Sequence, residues 1–188
     1  MRKVKLQMQL SIDGFVAGPN SEMDWMVWNW DSDLLQYVKE LTDPVDTILL
    51  GRVLAQGFIP HWAAAAAKPE SEDFERKMHE THKVVFSKTL ESNEWSNTDL
   101  AKGNLAEEIA SLKSMPGKDI IVYGGGNFVS NLVKNGLIDD YHFFINPTIL
   151  GSGMPIFQEV ADKSSLKLVH AKSFECGIVV LCYQKTQS

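Results

Sequence analysis

The sequence has little cysteine, no excess of positive charge and no long apolar run. Of its 188 residues two are cysteines, and Cys176 and Cys182 have neither metal-ligand spacing nor the spacing of a disulfide framework. The formal net charge is −6, which argues against broad contact with a nucleic-acid backbone or an anionic membrane surface. No apolar run approaches the roughly 18 residues of a membrane span, and "MRKVKLQMQL" lacks the apolar core of a signal peptide. We therefore expect a cytoplasmic protein.

The hydrophobic pattern predicts an α/β fold. Val4, Leu6, Met8 and Leu10 alternate with polar residues, as in a β-strand, and "DTILLGR", "HKVVFS" and "KDIIVY" are typical of buried strands separated by helical segments. After "GNFVSNLVKNG" only strands follow, and the last two form a hairpin. We expect a mixed, mostly parallel sheet with helices on both faces, a loop or helix entry at the alanine run 63–67, and one domain over residues 1–188.

Three consecutive glycines lie where a predicted strand meets a predicted helix, in "IIVYGGGNFVSNLVKNG". Because they have no Cβ atom, Gly124, Gly125 and Gly126 let a pyrophosphate approach the backbone amides, and the N-terminus of the following helix favours an anion. The G-x-G-x-x-G fingerprint is missing. A tight turn without a ligand is therefore the alternative.

Two other predicted strands end in residues that suit phosphate. Gly51 ends "ILLG" and is followed by Arg52, whose guanidinium can reach a phosphate, while Ser87 and Lys88 follow "VVF". The carboxyl ends of parallel strands lie at one edge of a sheet, where ligands bind. With the glycine run, these residues predict a dinucleotide site, although Arg52 and Lys88 could also be solvated surface charges.

The acidic candidate follows an aromatic loop. "MDWMVWNWDSD" contains three tryptophans, among them Trp28, and ends in Asp31 and Asp33. Asp31 suits the N-cap of a helix, whereas Asp33 is expected on the apolar side of that helix and buried. A carboxyl group in such surroundings has a raised pKa and suits proton donation. Asp33 is therefore the predicted catalytic acid.

The histidines do not predict a metal site. His79 and His82 are three residues apart, with Glu75 four residues before His79, a spacing that one helical face could use for a metal. The predicted helix, however, ends near Glu80, and the segment is strongly charged. We predict no metal.

Together these segments resemble the dihydrofolate reductase superfamily, in particular the bacterial proteins related to the reductase domain of riboflavin biosynthesis. "SIDGFVAG" is similar to that domain's first-strand motif, "DTILLGR" to the superfamily's second-strand motif, and "IIVYGGGNFVSNLV" to its glycine-rich cofactor turn. "GLIDDYHFFINPTILGSGMPIF" resembles the riboflavin-type branch. "VWNWDSDLLQYVK" is similar to the stretch of folate-reducing enzymes in which a tryptophan and an asparagine precede the catalytic acid.

The resemblance implies a three-layer α/β/α fold with NADPH lying across the strand ends. It implies cofactor contacts at three of these ends, made by Gly51 and Arg52, by Ser87 and Lys88, and by Tyr123, Gly124, Gly125, Gly126 and Asn127. Residues 124–127 correspond to the pyrophosphate side, 51–52 and 87–88 to the adenosine phosphate side, and Tyr123 to the nicotinamide end. Asp33 takes the position of the acid and Trp28 that of the loop tryptophan, so Trp28, Asp33 and Tyr123 are the implied substrate contacts.

The function that follows is an NADPH-dependent reductase of a pterin-like or pyrimidine-like heterocycle. The chain departs from folate-reducing enzymes at Leu54, where they carry threonine, and around Trp28, where their proline pair is missing. These departures leave open a heterocyclic substrate other than dihydrofolate. The alternatives are the 5-amino-6-(5-phosphoribosylamino)uracil reductase of riboflavin biosynthesis and a non-catalytic nucleotide-binding module.

A homodimer is also predicted, because four aromatic residues of the C-terminal strands are expected to be exposed and to need covering: Tyr141, Phe143, Phe144 and Tyr183.

Overall fold

Strands and helices alternate along most of the chain in the computed structural model, which describes residues 1–161 and 163–186. The strands are β1 (Val4–Leu10), β2 (Phe15–Ala17), β3 (Val45–Gly51), β4 (His82–Phe86), β5 (Thr98–Ala101), β6 (Asp119–Gly124), β7 (Asp140–Ile145), β8 (Met154–Pro155), β9 (Leu166–Ser173) and β10 (Val179–Lys185). The helices are α1 (Ser32–Thr42), α2 (Arg52–Ala66), α3 (Asp73–Glu80), α4 (Leu105–Ser114) and α5 (Gly126–Lys134). Within this described part, no helix combines the length and the apolar character needed to cross a membrane.

Eight strands form one mixed sheet in the order β5-β4-β3-β6-β1-β7-β10-β9. Neighbouring strands from β5 to β7 run parallel, and β10 runs antiparallel to both β7 and β9. The predicted mixed, mostly parallel sheet with a C-terminal hairpin is confirmed. Because β3 and β6 are neighbours, Gly51 and Gly124 end adjacent parallel strands.

Helices cover both faces of this sheet, as predicted. Leu6 and Met8 of β1 belong to a core that includes residues of α4 and α5. On the other face, Ile48 and Leu50 of β3 belong to a core that includes residues of α1, α2 and α3. Leu49, between them, belongs to the first core, since successive side chains of a strand point to opposite faces. A strand buried on both faces has a continuous apolar run for this reason.

Several local expectations differ from the structure. Ala63 to Ala66 are not a loop or helix entry but the last turn of α2, because alanine is the best helix former. The short strands β2 and β8, which pair with each other in a separate ribbon, and the edge strand β5 were not predicted. They have two to four residues each, too few to show a period.

The exposed aromatics behind the homodimer prediction are mostly buried. Tyr141, Phe143 and Phe144 are 3%, 7% and 0% exposed, and Tyr183 is half-buried. Tyr141, Phe143 and Phe144 lie in β7, between β1 and β10, so both edges of that strand are paired and the cores on its two faces cover its side chains. The reason for expecting a homodimer is therefore wrong, and the homodimer itself stays a prediction.

Candidate functional site

The carboxyl ends of β3 and β6 meet through two glycines. A Cβ atom on Gly125 would lie 3.2 Å from the Cα atom of Gly51, and a Cβ atom on Gly51 would lie 3.5 Å from the Cα atom of Gly125. Gly125 also has a φ of +93°, a conformation in which residues with a Cβ atom are strained. Gly125 therefore requires glycine, because the backbone of Gly51 lies against it. At Gly51 the tight neighbour is a side chain, since a Cβ atom there would lie 3.0 Å from Phe128 Cβ.

Two helices begin at this contact, and neither has a side-chain cap. Gly51 is the N-cap of α2 and Gly125 the N-cap of α5, and neither helix has an acidic residue in its first turn. By contrast, α1 and α4 are capped by the side chains of Asp31 and Asn104, and α1, α3 and α4 each have an acidic residue in the first turn. Uncapped helix N-termini present backbone N–H donors and partial positive charge. The adjacent starts of α2 and α5 can thus bind an anion.

The predicted basic and hydroxyl residues lie at the same edge of the sheet. Gly51 pairs with Phe86 in the register of β3 and β4, which brings Arg52 level with Ser87. Neither Arg52 nor Lys88 forms a hydrogen bond or an ion pair within residues 1–161 and 163–186, so both cations are available to a ligand. The Ser87 hydroxyl is buried and accepts hydrogen bonds from the backbone N–H groups of Thr89 and Leu90, at 3.2 and 2.9 Å. These accepted hydrogen bonds stabilise the turn, so the hydroxyl can contact a ligand only by donating its own proton.

The other two glycines of the run meet different neighbours. A Cβ atom on Gly124 would lie 3.3 Å from Leu54 Cδ2, and one on Gly126 would lie 2.9 Å from Met154 Sδ in β8. Gly126 therefore has a packing reason that needs no ligand. Asn127, the next residue, is exposed and accepts a hydrogen bond through Oδ1 from Gln158 Nε2 at 2.7 Å.

Tyr123 places an unpaired hydroxyl beside this turn. Its ring stacks on Phe58 of α2 with 5.4 Å between ring centroids, and burial raises the pKa of the hydroxyl far above its ordinary value. Two buried side-chain atoms of the described residues have no hydrogen-bond partner, Tyr123 Oη and Gln7 Oε1. In the parallel register of β1 and β6, Leu6 pairs with Val122, so Gln7 lies beside Tyr123 on the neighbouring strand. An unpaired buried polar group is costly, which makes this hydroxyl a candidate ligand contact.

The expectation of a buried acid at Asp33 is wrong. Asp33 lies in the first turn of α1 and is exposed, because the buried stripe of that helix begins one residue later, at Leu34. Asp31 is the N-cap, and it also accepts a hydrogen bond from the backbone N–H of Cys176 at 2.9 Å. Hydrogen bonds from the N–H groups of Cys176 and Leu34 hold the pKa of Asp31 below its ordinary value, so Asp31 stays ionised. Neither carboxyl group is the desolvated acid that the aromatic loop suggested.

The loop tryptophans have different surroundings. Trp28, the predicted substrate contact, is 64% exposed and stacks on Trp30 with 6.2 Å between ring centroids. Trp30 in turn contacts Phe144 of β7 and donates from Nε1 to the carbonyl oxygen of Val27 at 2.7 Å. Trp28 is thus held by its neighbour at the surface.

Sequence reasoning missed a buried amide in this region. Asn146, 0% exposed, follows β7 and accepts a hydrogen bond from the backbone N–H of Val27, which attaches the aromatic loop to the sheet. Its Nδ2 donates to Gln9 Oε1 at the end of β1. An asparagine directly before Pro147, at the end of an apolar strand, was the available signal.

One hollow lies away from the strand ends that carry the glycines. This hollow of about 590 Å³ is lined by residues at the amino ends of β3 and β4, among them Asp46 and His82. In a parallel sheet, ligands bind at the opposite, carboxyl ends. No group of three or more His, Cys, Asp or Glu side chains suited to a metal occurs in the described ranges.

One protein-family model matches almost the whole chain. A family model described as the RibD C-terminal domain matches residues 2–180. The chain belongs to the RibD C-terminal domain family. A relative in this sequence range, the uncharacterized protein YyaP of Bacillus subtilis (strain 168), is 34% identical over 187 residues, which are 97% of this chain and 94% of YyaP.

Solved structures agree with membership of the RibD C-terminal domain family. A putative riboflavin biosynthesis protein from Shewanella sp. PV-4 is similar with a TM-score of 0.76 and 21% identity, and the likeness covers 100% of both chains. Dihydrofolate reductase from Enterococcus faecalis, complexed with NADP(H), is similar with a TM-score of 0.63 and 12% identity over 98% of this chain and 97% of that one. At these identities the likeness shows the fold, which is dihydrofolate reductase-like. The predicted resemblance is confirmed.

Proposed function

We propose that the chain is a cytoplasmic NADPH-dependent oxidoreductase that transfers a hydride to a small heterocyclic substrate, pterin-like or pyrimidine-like. The observation that carries the proposal is the meeting of two uncapped helix N-termini at Gly51 and Gly125. The N–H donors there belong to regular helices, and the two glycines have no side chain that would keep a pyrophosphate away. Family membership supports a reductase, and the NADP(H) complex of the E. faecalis enzyme supports this cofactor.

The residues around the contact fit the two ends of such a cofactor. Arg52 and Lys88 would bind the phosphate on the adenosine side, since both are cations without a partner in the described part of the chain. Gly124, Gly125, Gly126 and the start of α5 would bind the pyrophosphate, with Asn127 beside them. The Tyr123 hydroxyl, buried and unpaired, would donate to a polar atom near the reactive end. When bound, NADPH supplies the hydride. The chain binds and orients the cofactor and excludes water.

Reduction also requires a donor for the proton that accompanies the hydride. Asp33 remains the proposed donor, although its exposure gives it no desolvated environment. The same exposure favours a second candidate function, a nucleotide-binding module without turnover. In that case the cofactor residues bind NADPH, and Asp33 has no chemical role.

Cofactor binding is tested by titrating NADPH while following tryptophan fluorescence. We expect Arg52→Gln and Lys88→Gln each to weaken binding by roughly 10-fold or more, the loss of one hydrogen bond to a charged group. Arg76→Gln is the matched control, because Arg76 is an exposed arginine near the amino ends of the strands and should bind NADPH like the wild type. Absence of binding by the wild type at near-millimolar NADPH would refute the oxidoreductase and the binding module together.

Turnover separates the remaining possibilities. NADPH oxidation is measured with dihydrofolate and with 5-amino-6-(5-phosphoribosylamino)uracil, the substrate of the alternative riboflavin-pathway reductase. If a substrate is found and Asp33→Asn turns it over at the wild-type rate, Asp33 is not the acid. If NADPH binds and no heterocycle is reduced, the binding module is favoured.

A further inference from the structure

Three polar groups from distant parts of the chain form a connected amide relay, which we define as the Val27 backbone N–H, the Asn146 side chain and the Gln9 side chain. Asn146 Oδ1 accepts from Val27 N at 2.8 Å, and Asn146 Nδ2 donates to Gln9 Oε1 at 2.7 Å and to the Phe144 carbonyl oxygen at 3.2 Å. The relay therefore connects the aromatic loop, the end of β7 and the end of β1. It lies at the carboxyl edge of the sheet, where the candidate cofactor residues lie.

The relay determines which way both amides face. A backbone N–H can only donate, so the atom of Asn146 that contacts Val27 must be the oxygen. The other end of Asn146 is then the nitrogen, and the carbonyl of Phe144 confirms this because it can only accept. Since that nitrogen donates to Gln9, the atom of Gln9 that it contacts must be the oxygen. The orientation of Gln9 thus follows from a backbone group 18 residues away in the sequence.

Gln9 in consequence turns its nitrogen away from Asn146. Nε2 carries two N–H donors, and it has no hydrogen-bond partner within residues 1–161 and 163–186, while Gln9 itself is only half-buried. A glutamine side chain at a strand end is free to rotate in general, but here its oxygen is held by a fully buried partner. The chain therefore presents a fixed pair of donors at this position.

These donors lie near the candidate reactive end. In the parallel register of β1 and β6, where Leu6 pairs with Val122, Gln9 lies at the level of Gly125, the residue that follows β6. Because side chains alternate along β1, Gln9 and Gln7 share the sheet face that α1 and α2 cover, and the Tyr123 ring stacks on Phe58 of α2 on that same face. Gln9 Nε2 and Tyr123 Oη are then unpaired donors on the same face of the sheet, near the carboxyl ends of β1 and β6.

We propose that Gln9 is a specificity-determining residue that donates to a ring carbonyl oxygen of the substrate, and that Asn146 is the positioning residue that orients it. A ligand with an oxo group at this position would accept from Gln9, whereas an amino group there would place two donors against each other. The inference rests on the proposed reductase function, because only that function makes the ligand a substrate. The preference of Gln9 for an oxo group over an amino group can be measured by binding alone.

The test compares uridine, which has a 4-oxo group beside an N3–H donor, with cytidine, which has a 4-amino group beside an N3 acceptor. Each is titrated into the intact chain with and without NADPH, and tryptophan fluorescence is followed. We expect the wild type to bind uridine roughly 10-fold more tightly, the value of about one hydrogen bond. Gln9→Glu keeps an oxygen for Asn146 and presents a second oxygen in place of the nitrogen, so it should reverse the preference.

Two more variants separate recognition from structure. Asn146→Asp keeps an acceptor for Val27 and replaces the donor to Gln9 by an acceptor, so Gln9 must turn round and the preference for uridine should again be lost. Since a buried carboxylate can prevent folding, Gln9→Glu carries the test if Asn146→Asp does not fold. Gln56→Glu is the matched control, an exposed glutamine of α2 that should leave the ratio of the two affinities unchanged.

The outcomes distinguish this inference from the reductase proposal. If neither nucleoside binds, if the wild type binds both equally, or if Gln9→Glu leaves the ratio unchanged, the relay does not select the substrate and the inference is wrong. If the ratio reverses while NADPH fails to bind, the relay holds and the reductase function is refuted.

Discussion

Replacing Gly125 with alanine should destabilise the protein even without a ligand. At a φ of +93° a residue with a Cβ atom costs roughly 1–2 kcal/mol. The new Cβ atom would also lie 3.2 Å from Gly51 Cα and 3.4 Å from Gly51 N, backbone atoms at the end of a central strand that cannot rotate away. Overpacking of this kind typically costs about 1–3 kcal/mol. We expect the free energy of unfolding to fall by about 2–5 kcal/mol.

The assay is urea unfolding of the ligand-free chain, followed by tryptophan fluorescence, with Gly57→Ala as the matched control. Gly57 lies inside α2, and no heavy atom lies within 4 Å of the position that a Cβ atom would take there. Alanine at this position should raise the free energy of unfolding by up to about 1 kcal/mol, because glycine is a poor helix former. If Gly125→Ala unfolds at the urea concentration of the wild type, the two strand ends do not approach each other this closely, and the argument for the phosphate site loses its geometry.

Two further predictions concern buried polar groups. Tyr123→Phe removes an unpaired hydroxyl, so the free energy of unfolding should rise by about 1 kcal/mol while substrate affinity falls; a loss of stability relative to Tyr183→Phe, at a half-buried tyrosine, would contradict this. Burial lowers the pKa of His142 from 6.5 to about 4. Between these values the unfolded chain binds a proton that the folded chain excludes, so the free energy of unfolding should decrease as the pH falls through this window, by up to roughly 3 kcal/mol. His142→Gln should lose this part of the pH dependence in urea titrations at about pH 7 and about pH 4, and an unchanged dependence would show that His142 is not the group responsible.

Local patterns in the sequence were sufficient for most of the fold. The alternation in β1 and the apolar runs of β3, β4 and β6 predicted strands, because burial on one or both faces imposes a period that a few residues reveal. The N-cap at Asp31 was visible for the same reason, since a cap acts within three residues of itself. β2, β5 and β8 were too short for any period.

Side-chain environments were harder to predict than elements. Asp33 was expected on the buried side of α1, but it precedes Leu34, where the buried stripe of the helix begins, and is exposed. Tyr141, Phe143 and Phe144 were expected to be exposed, and the neighbours that cover them are strands and helices distant in sequence. No local rule contains this second fact.

The sequence by itself determined that the chain is an α/β protein with glycine at two strand ends, and it left open whether a ligand approaches the backbone there or the glycines form a tight turn. Only the tertiary structure decided what approaches: Gly51 and Gly125 contact each other, while Gly126 lies against Met154. It also joined Gln9 to Asn146, 137 residues apart. The physical reason is that backbone conformation and burial periods are properties of short segments, whereas a contact across the sheet exists only after strand order brings those segments together.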